Sequence, residues 1–266
     1  MHKAEFQDIV WQKGRELYRT MPWRDTTNPY DVLVSELMLQ QTQVDRVIPK
    51  FNDFIRIFPD INTLAVSSLA EVLSIWSGLG YNRRARFLHD AARKIMGEFG
   101  GQVPNTLDKL ISLPGVGPNT AGAILVYSFN QPVVFIETNI RSVYFYHFFQ
   151  DSHTVSDKEL VELVQETMDT EHPREFFWAL MDYGAFLKKQ GLGQISKSTL
   201  YKKQPTLKGS LRETRGQIVR ALTTRDMDES ELKFEINADN RFEPALESLK
   251  KDGLVSQTMV ILHLTK

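Results

Sequence analysis

The sequence has no cysteine among its 266 residues. Without thiols the protein can form no disulfide, no thiolate-bound zinc site, no cysteine nucleophile and no cysteine-ligated iron–sulfur cluster. Long apolar runs are also missing, because none approaches the roughly 18 residues that a membrane span needs. The polar first residues lack the apolar segment of a signal peptide. We therefore expect a soluble intracellular protein with no membrane partner.

An excess of positive charge is absent too, since the formal net charge is −1. Non-specific nucleic-acid binding comes from neutralising phosphates, so any such contact here must be local. Small basic clusters occur at Arg83, Arg84 and Arg86, at Lys188 and Lys189, and at Lys202 and Lys203. The six histidines form no HExxH pair, and we predict no metal site.

The spacing of apolar residues predicts a mostly helical chain, punctuated by glycine and proline. The predicted helices cover 4–20, 30–58 as two helices broken at Pro49, 64–75, 83–99, 106–112, 118–129, 137–150, 156–168 and 173–187. Residues 188–208 lose this periodicity and indicate a linker, with a domain boundary near 205.

The last 60 or so residues follow a different pattern. Helices are predicted at 211–223, from Asp228, and around Phe242, Leu246 and Leu249, with Gly253 as the stop signal. Two β-rich runs, 254–256 and 259–264, then indicate a hairpin. Three helices and a hairpin are typical of a winged-helix-like module.

The strongest local signal is the run from Leu113 to Gly117, LPGVG, between two predicted helices. Two glycines two residues apart let the backbone turn tightly and point successive N–H groups outward. The helix that opens at Pro118 adds the positive end of its dipole. The motif favours a phosphate clamp, although an ordinary tight turn fits the motif equally well when it is taken alone.

LPGVGPNTAGAIL resembles the hairpin of the helix-hairpin-helix DNA glycosylases. MPWRDTTNPYDVLVSELMLQQTQV, WSGLGYNRRARFLHDAA and FFWALMDYGAF are similar, in the same order, to blocks of the MutY-type adenine glycosylases. The resemblance spans about residues 5–187. It implies a mainly α, two-lobed helix-hairpin-helix glycosylase domain at 1–204, with a middle lobe at about 28–129 and the other lobe from the N-terminal segment plus 130–204. The winged-helix-like domain at 205–266 then either docks on DNA through its third helix or packs on the domain before it.

The resemblance implies that Glu36 is the general acid that protonates the departing adenine. Its apolar neighbours Val34, Leu37 and Leu39 would help it to keep a proton; the alternative is a salt-bridged glutamate on a helix surface. Glu137 stands where the family has an aspartate that stabilises the cationic sugar, and its extra methylene requires the carboxylate to be set back or turned. Asn139 matches a family asparagine that holds Glu36 or a water, although a helix cap is the simpler interpretation.

The nucleophile and the DNA contacts follow from the same resemblance. Asn119 stands where endonuclease III and other bifunctional members have a lysine, so water is expected to attack and the product is an abasic site. Gln40 and Gln41 are implied to face the opened helix and the estranged partner base, where the alternative is a pair of exposed glutamines. Tyr81 is implied to wedge between bases, with Arg83 and the following arginines on phosphates, and the alternative is a loop-anchoring aromatic. The other implied DNA contacts are Leu113, Gly115, Val116, Gly117, Asn119 and Thr120.

The implied adenine pocket consists of Arg19, Trp23, Leu39, Val44, Phe129 and Asp182, with Phe129 where some members have a tyrosine. Two further departures concern whole elements. The four cluster-binding cysteines are missing, with Lys188 in the place of the first, so no cofactor is expected. The family's C-terminal domain that recognises 8-oxoguanine is missing as well.

The sequence therefore predicts a cytoplasmic or nucleoid-associated, monomeric and monofunctional glycosylase. Its expected substrate is double-stranded DNA in which adenine is mispaired with 8-oxoguanine or guanine. One alternative is a glycosylase for thymine or uracil opposite guanine. The other is a catalytically silent protein that binds DNA lesions.

Overall fold

The computed structural model describes residues 1–199 and 206–265, and this part of the chain is mostly helical. Its α-helices are α1 Lys3–Leu17, α2 Pro29–Leu39, α3 Val44–Ile57, α4 Ile61–Val66, α5 Leu69–Trp76, α6 Arg83–Phe99, α7 Leu107–Ile111, α8 Pro118–Phe129, α9 Thr138–Phe148, α10 Asp157–Thr167, α11 Pro173–Lys189, α12 Leu211–Leu222, α13 Glu229–Glu235 and α14 Phe242–Lys251. The strands are β1 Met227–Asp228, β2 Val255–Thr258 and β3 Ile261–Leu264, and short 3-10 helices lie at Pro22–Arg24 and Ile195–Lys197. Within the described ranges no helix combines the length and apolarity that crossing a bilayer requires.

Two predicted helices are corrected. The break in 30–58 lies at residues 40–43, where Gln41 adopts a left-handed φ of 60°, and Pro49 is inside α3. Pro49 is the sixth residue of this helix, so it removes one backbone hydrogen bond there, yet the helix continues to Ile57. The predicted helix 64–75 is instead the pair α4 and α5, since Ser68 and Glu71 form a reciprocal capping box that starts a new helix.

The chain divides into two compact units. Unit 1 comprises Met1–Val32, Asn105–Ile111 and Val116–Lys203, and unit 2 comprises Leu33–Pro104, Ser112–Gly115 and Gln204–Lys266. These units group the chain differently from the predicted lobes. The predicted boundary at 204/205 lies outside the described residues, so the division into 1–204 and 205–266 stays a prediction.

In unit 1, α11 packs against both α1 and α9. The approach to α1 is close, because a Cβ at Gly14 would lie 2.5 Å from the Cβ of Ala179. On the other side a Cβ at Gly184 would overlap the backbone carbonyl of Asn139. Buried aromatic rings fill the core, with Phe135 stacked on Phe177 at 4.5 Å between centroids. The backbone at the start of α9 is thus set by direct contact with α11.

In unit 2, α6 packs against α4 and α5. The C-terminal module contributes α12, α13, α14 and a three-stranded antiparallel sheet in the order β1-β3-β2. The hairpin of β2 and β3 was expected, whereas β1 has only two residues and gives no alternating pattern to detect. Phe242, Leu246 and Leu249 form the buried face of α14, and β3 contacts α5. The module therefore packs on a helix of the preceding sequence within its own unit, as one of the two alternatives proposes. The other alternative, docking on DNA through its third helix, stays a prediction.

Candidate functional site

Glu36 lies in the middle of α2, in unit 2, and is only 8% exposed. Its neighbours Val34 and Leu37 are completely buried. This burial argues against a surface glutamate and gives the carboxyl the apolar surroundings expected from the sequence. Leu39, near the end of the same helix, and Val44, at the start of α3, are half-buried.

Arg84 holds the end of the helix that carries Glu36. Its Nη1 donates to the carbonyls of Leu37 and Met38 at 2.8 Å each and of Gln40 at 2.6 Å. Its Nη2 donates at 3.0 Å to the hydroxyl of Thr42 and to the carbonyl of Gly80. The last carbonyls of a helix have no partner within it, and here one guanidinium supplies several of them. Burial lowers the pKa of Arg84 to about 10.

The predicted phosphate-facing role of the arginines after Tyr81 is therefore wrong for Arg84, which is buried on backbone carbonyls. Arg86 donates to the backbone carbonyl of Asp252 and pairs with Asp90 at 3.4 Å. Arg83 is accessible to a phosphate, because its side chain is 60% exposed, and its Nε lies 3.9 Å from a carboxylate oxygen of Asp252.

Gln41 and Tyr81 lie together on unit 2, and both have left-handed backbones, with φ of 60° and 48°. The Tyr81 hydroxyl donates to Oε1 of Gln41 over 3.5 Å. Such a conformation is uncommon for residues other than glycine and costs about 1–3 kcal/mol, so it persists only where the surroundings impose it. In both loops Arg84 binds the carbonyl of the residue that comes just before, Gln40 in one and Gly80 in the other. The structure thus brings together the residues predicted to face the opened duplex.

The hairpin turn joins α7 to α8. Gly115 has a φ of 78°, and a Cβ there would lie 2.7 Å from the Cβ of Phe87. Nε2 of Gln40 donates to the Gly115 carbonyl at 3.4 Å. Gly117 is different, because it is the extended N-cap of α8 and needs no left-handed conformation, so the prediction of two turn-forming glycines holds only for Gly115.

The side chains of Leu113 and Val116 are buried, which leaves the backbone as their means of contacting a phosphate. Gly117 is exposed and Thr120 is half-buried at the start of α8. Asn119 is exposed, but its amide is engaged: Oδ1 accepts from the Ile136 N–H at 3.1 Å and Nδ2 donates to the Ile136 carbonyl at 3.0 Å. Asn119 therefore fixes the residue that precedes Glu137.

Glu137 is the half-buried N-cap of α9, in unit 1, and makes no side-chain capping hydrogen bond. Burial raises the pKa of this carboxyl to about 6, while the positive charge of Lys188 opposes the rise. Nζ of Lys188 donates to Oδ1 of Asn139 at 3.3 Å. Burial and the charge of Arg19 lower the pKa of Lys188. A carboxylate, an amide and an ammonium thus meet at the start of α9.

Asp182 is 2% exposed and is bound by two arginines. Arg24 forms a bidentate pair with it at 2.7 and 3.0 Å, and Nε of Arg19 donates to it at 2.7 Å. Asp182 therefore orients Arg19, whose side chain is 38% exposed. Trp23 is buried and Phe129 half-buried in the same unit. Of the predicted pocket residues, unit 1 contains Arg19, Trp23, Phe129 and Asp182, and unit 2 contains Leu39 and Val44.

The segment after α11 does not fit an iron–sulfur cluster, because the chain offers no thiolate ligand. Its described residues are held by hydrogen bonds instead. Nζ of Lys197 donates to the carbonyls of Phe149 at 2.8 Å and Gln150 at 2.7 Å. A parallel bridge pairs Val155 with Ser198. Lys202 and Lys203 lie outside the described residues, and in the described ranges no three acidic or histidine side chains form a metal-binding group.

Sequence reasoning missed the roles of Arg84 and Gly184. No pattern distinguishes Arg84, because its partners are backbone carbonyls. Gly184 had a usable signal, since a glycine inside a helical pattern often marks a close approach. The structure shows that approach, to Asn139.

The family model for the HhH-GPD superfamily of base excision DNA repair proteins matches residues 34–167, about half of the chain. The chain belongs to this superfamily. An adenine DNA glycosylase of Mycolicibacterium smegmatis is 32% identical over 261 residues, which cover 90% of this chain and 89% of that protein. One from Buchnera aphidicola is 40% identical over 173 residues, or 64% of this chain and 48% of that protein. The chain thus spans about half the length of the first curated relatives that it matches.

Solved structures support the same fold. A thermostable thymine-DNA glycosylase matches with a TM-score of 0.63 and 25% identity, covering 69% of this chain and 86% of that one. A trapped endonuclease III–DNA covalent intermediate matches with a TM-score of 0.57, covering 79% and 93%, and at 16% identity it shows the fold alone. The expected mainly α helix-hairpin-helix glycosylase fold of this HhH-GPD protein is confirmed.

Proposed function

We propose that this protein is a monofunctional DNA N-glycosylase that removes adenine mispaired with 8-oxoguanine or guanine and leaves an abasic site. The observation that carries the proposal is Glu36, a carboxyl buried in an apolar helix whose end Arg84 holds beside Gln41 and Tyr81. The names of the Mycolicibacterium and Buchnera relatives support adenine as the base.

In the proposed chemistry Glu36 gives its proton to a ring nitrogen of the adenine, since the neutral purine is otherwise a poor leaving group. The bond between the sugar and the base then breaks, and the electron pair leaves with the base. Glu137 stabilises the positive charge on the sugar, and at pH 7 it is mostly ionised because its pKa is about 6. Water adds to the sugar, and its proton passes to the carboxylate of Glu36, which restores the acid. Asn119 offers no amine for a Schiff base.

The protein binds double-stranded DNA locally in this proposal, through the N–H groups of the hairpin turn and the exposed guanidinium of Arg83. It works as a monomer in the cytoplasm or nucleoid. It needs no cofactor, because protonation by a carboxylic acid and attack by water complete the reaction.

The test is single-turnover base release from duplexes that contain adenine opposite 8-oxoguanine, adenine opposite guanine, thymine opposite guanine, or uracil opposite guanine. Adenine is expected to leave fastest, and Glu36→Gln should slow its release by about 10²–10⁴-fold, the usual contribution of a general acid. Glu166→Gln is the matched control, because Glu166 is an exposed glutamate on α10.

A glycosylase for thymine or uracil opposite guanine is the second candidate. The observations that favour it are the similarity to a thymine-DNA glycosylase at 25% identity and the glutamate at position 137. Faster release of thymine than of adenine would establish this candidate. Tight binding of mispaired DNA with no abasic product from any duplex would instead indicate a silent lesion-binding protein.

A further inference from the structure

Two guanidinium groups lie against the ring of Tyr81, which is half-buried. The Cζ of Arg84 is 5.5 Å from the centre of the ring, and that of Arg212 is 4.8 Å from it. Arg212 also donates from Nη1 to the Tyr81 hydroxyl. A cation placed over an aromatic ring is attracted by the negative face of the ring. The C-terminal module, through Arg212 on α12, therefore contacts both the ring and the hydroxyl of Tyr81.

The backbone of Tyr81 is strained. Its φ of 48° lies in the left-handed region, which a bulky residue rarely adopts and which persists only where surrounding contacts hold it. Arg84, three residues later in the chain, binds the ring and the preceding carbonyl of Gly80. The contacts of Arg212 come from a distant part of the sequence and act on the side chain. They add to the contacts that hold the Tyr81 ring in one orientation.

The first turn of α12, which carries Arg212, is itself held in place. Oγ of Ser210 caps the helix by accepting from the N–H of Glu213 at 3.3 Å. Nη1 of Arg241 donates to the Ser210 carbonyl at 3.3 Å and to the Glu213 carboxylate at 3.1 Å. The backbone from which Arg212 extends is thus fixed within the module.

A second contact ties α12 to α6. Arg215 lies three residues after Arg212, on the same face of α12, and pairs with Asp252 at 2.7 Å. Arg86 of α6 donates to the backbone carbonyl of Asp252. The approach is close, because a Cβ at Gly253 would overlap the guanidinium of Arg86. These contacts fix the distance between α12 and the start of α6, and with it the distance over which Arg212 reaches the ring.

The third helix of the module, α14, has an acidic exposed face. Its exposed residues are Glu243, Pro244, Glu247 and Lys251. Two carboxylates and one ammonium give this face a net negative charge, whereas contact with phosphates requires cations. The charge of α14 therefore favours a role for the module through Tyr81 over a direct contact of this helix with DNA.

We propose that Arg212 is a positioning residue, which holds the Tyr81 side chain in the orientation that meets DNA before DNA binds. The inference rests on the proposed function in one respect, that Tyr81 contacts DNA. A ring that is already ordered loses less conformational freedom on binding, so the affinity for DNA is higher. Arg212 acts through Tyr81 and does not bind a phosphate itself.

The test is a double-mutant cycle on DNA affinity, with a duplex that carries a tetrahydrofuran abasic analogue so that no base is released. Arg212→Ala should weaken binding about tenfold, and Tyr81→Ala should weaken it at least as much. Adding Arg212→Ala to Tyr81→Ala should weaken binding by less than about twofold, because the side chain through which Arg212 acts is gone. Arg220→Ala, an exposed arginine at the other end of α12, should leave the affinity unchanged in both backgrounds.

Salt dependence distinguishes a positioning residue from a phosphate contact. Arg212→Ala should leave the dependence of log affinity on log salt concentration unchanged, whereas loss of a phosphate contact reduces its slope by about one. Arg212→Lys should recover part of the affinity, because an ammonium over the ring keeps the cation–π attraction. Arg212→Met, which keeps an apolar stem without a charge, should recover none.

Equal weakening by Arg212→Ala with and without the Tyr81 side chain would overturn the proposal. A slope reduced by about one, or no weakening at all, would overturn it as well. Thermal unfolding of each variant verifies that it is folded, and Arg212→Met replaces Arg212→Ala in the cycle if the alanine variant is not. Absence of base release in the glycosylase assay would contradict the proposed function alone, since this cycle involves no cleavage.

Discussion

Glu137→Gln should stabilise the folded protein at neutral pH while it impairs catalysis. Burial of the ionised carboxyl is unfavourable, which is why its pKa rises from the ordinary 4.5 to about 6. A carboxyl with a raised pKa contributes most to stability below pH 4.5, where it is protonated in the folded and the unfolded chain. That contribution is lost as the pH rises through 6. An amide has no such pH dependence.

The two pKa values give the size of the effect. The difference between about 6 and 4.5 corresponds to about 2 kcal/mol of unfolding free energy. Because Glu137 is only half-buried, solvent screening reduces this to about 1–2 kcal/mol. The free energy of unfolding of Glu137→Gln minus that of the unaltered protein should therefore increase by about 1–2 kcal/mol between pH 4.5 and pH 7.5.

Urea unfolding at both pH values measures this difference, with Glu166→Gln as the exposed control. The control should show no change between the two pH values beyond experimental error. The reasoning is refuted if the difference between Glu137→Gln and the unaltered protein is the same at pH 4.5 and pH 7.5. A carboxylate kept at the expense of stability is expected where charge is needed for chemistry.

Three further predictions concern neighbouring residues. Arg84→Met should lower the unfolding free energy, measured by chemical denaturation, by about 3–5 kcal/mol, because buried carbonyls lose a charged donor. A loss below about 1 kcal/mol would contradict the role of Arg84 in holding the end of α2. Gly184→Ala should lower the unfolding free energy by about 1–3 kcal/mol, because its Cβ would overlap Asn139. Gly97→Ala, in open space on α6, should raise the unfolding free energy by up to about 1 kcal/mol. Equal denaturation midpoints for the two variants would refute this. Lys188→Gln should raise the pKa of Glu137, because the charge of Lys188 opposes the rise caused by burial. The measurement is the pH dependence of base release, which should shift upward for Lys188→Gln and stay unchanged for Lys189→Gln. Equal shifts for the two variants would show that the charge of Lys188 does not lower this pKa.

The elements with strong local signals were predictable from the sequence. α6 and α8 have the predicted bounds, because Gly100 ends the first in a left-handed conformation and Pro118 opens the second. Their apolar faces repeat with the helical period. In these segments the local propensity and the packing agree.

The errors arise where a few residues override periodicity. Pro49 predicts a break, whereas the helix is interrupted at Gln41, which has a left-handed backbone and follows a carbonyl that Arg84 binds. The capping box of Ser68 and Glu71 has the local signature S-x-x-E, which signals the start of a new helix inside a segment that periodicity alone makes continuous. A pattern of neighbouring residues cannot predict that Arg84 will bind the carbonyls of a loop that is distant from it in the sequence.

The candidate site divides in the same way. The burial of Glu36 and the grouping of Gln41 with Tyr81 agree with the sequence-based expectation. The contact between Tyr81 and Arg212 joins residues 131 positions apart, and no local pattern reports it. Pairings of this kind require the folded structure.

The central claim is that Glu36 delivers the proton that releases the base. The most direct test compares the single-turnover rate of adenine release from an adenine–8-oxoguanine duplex for the unaltered protein and for Glu36→Gln, with DNA affinity measured in parallel. The account predicts a rate at least about 100-fold lower with the affinity nearly unchanged. A rate within twofold of that of the Glu166→Gln control would contradict it.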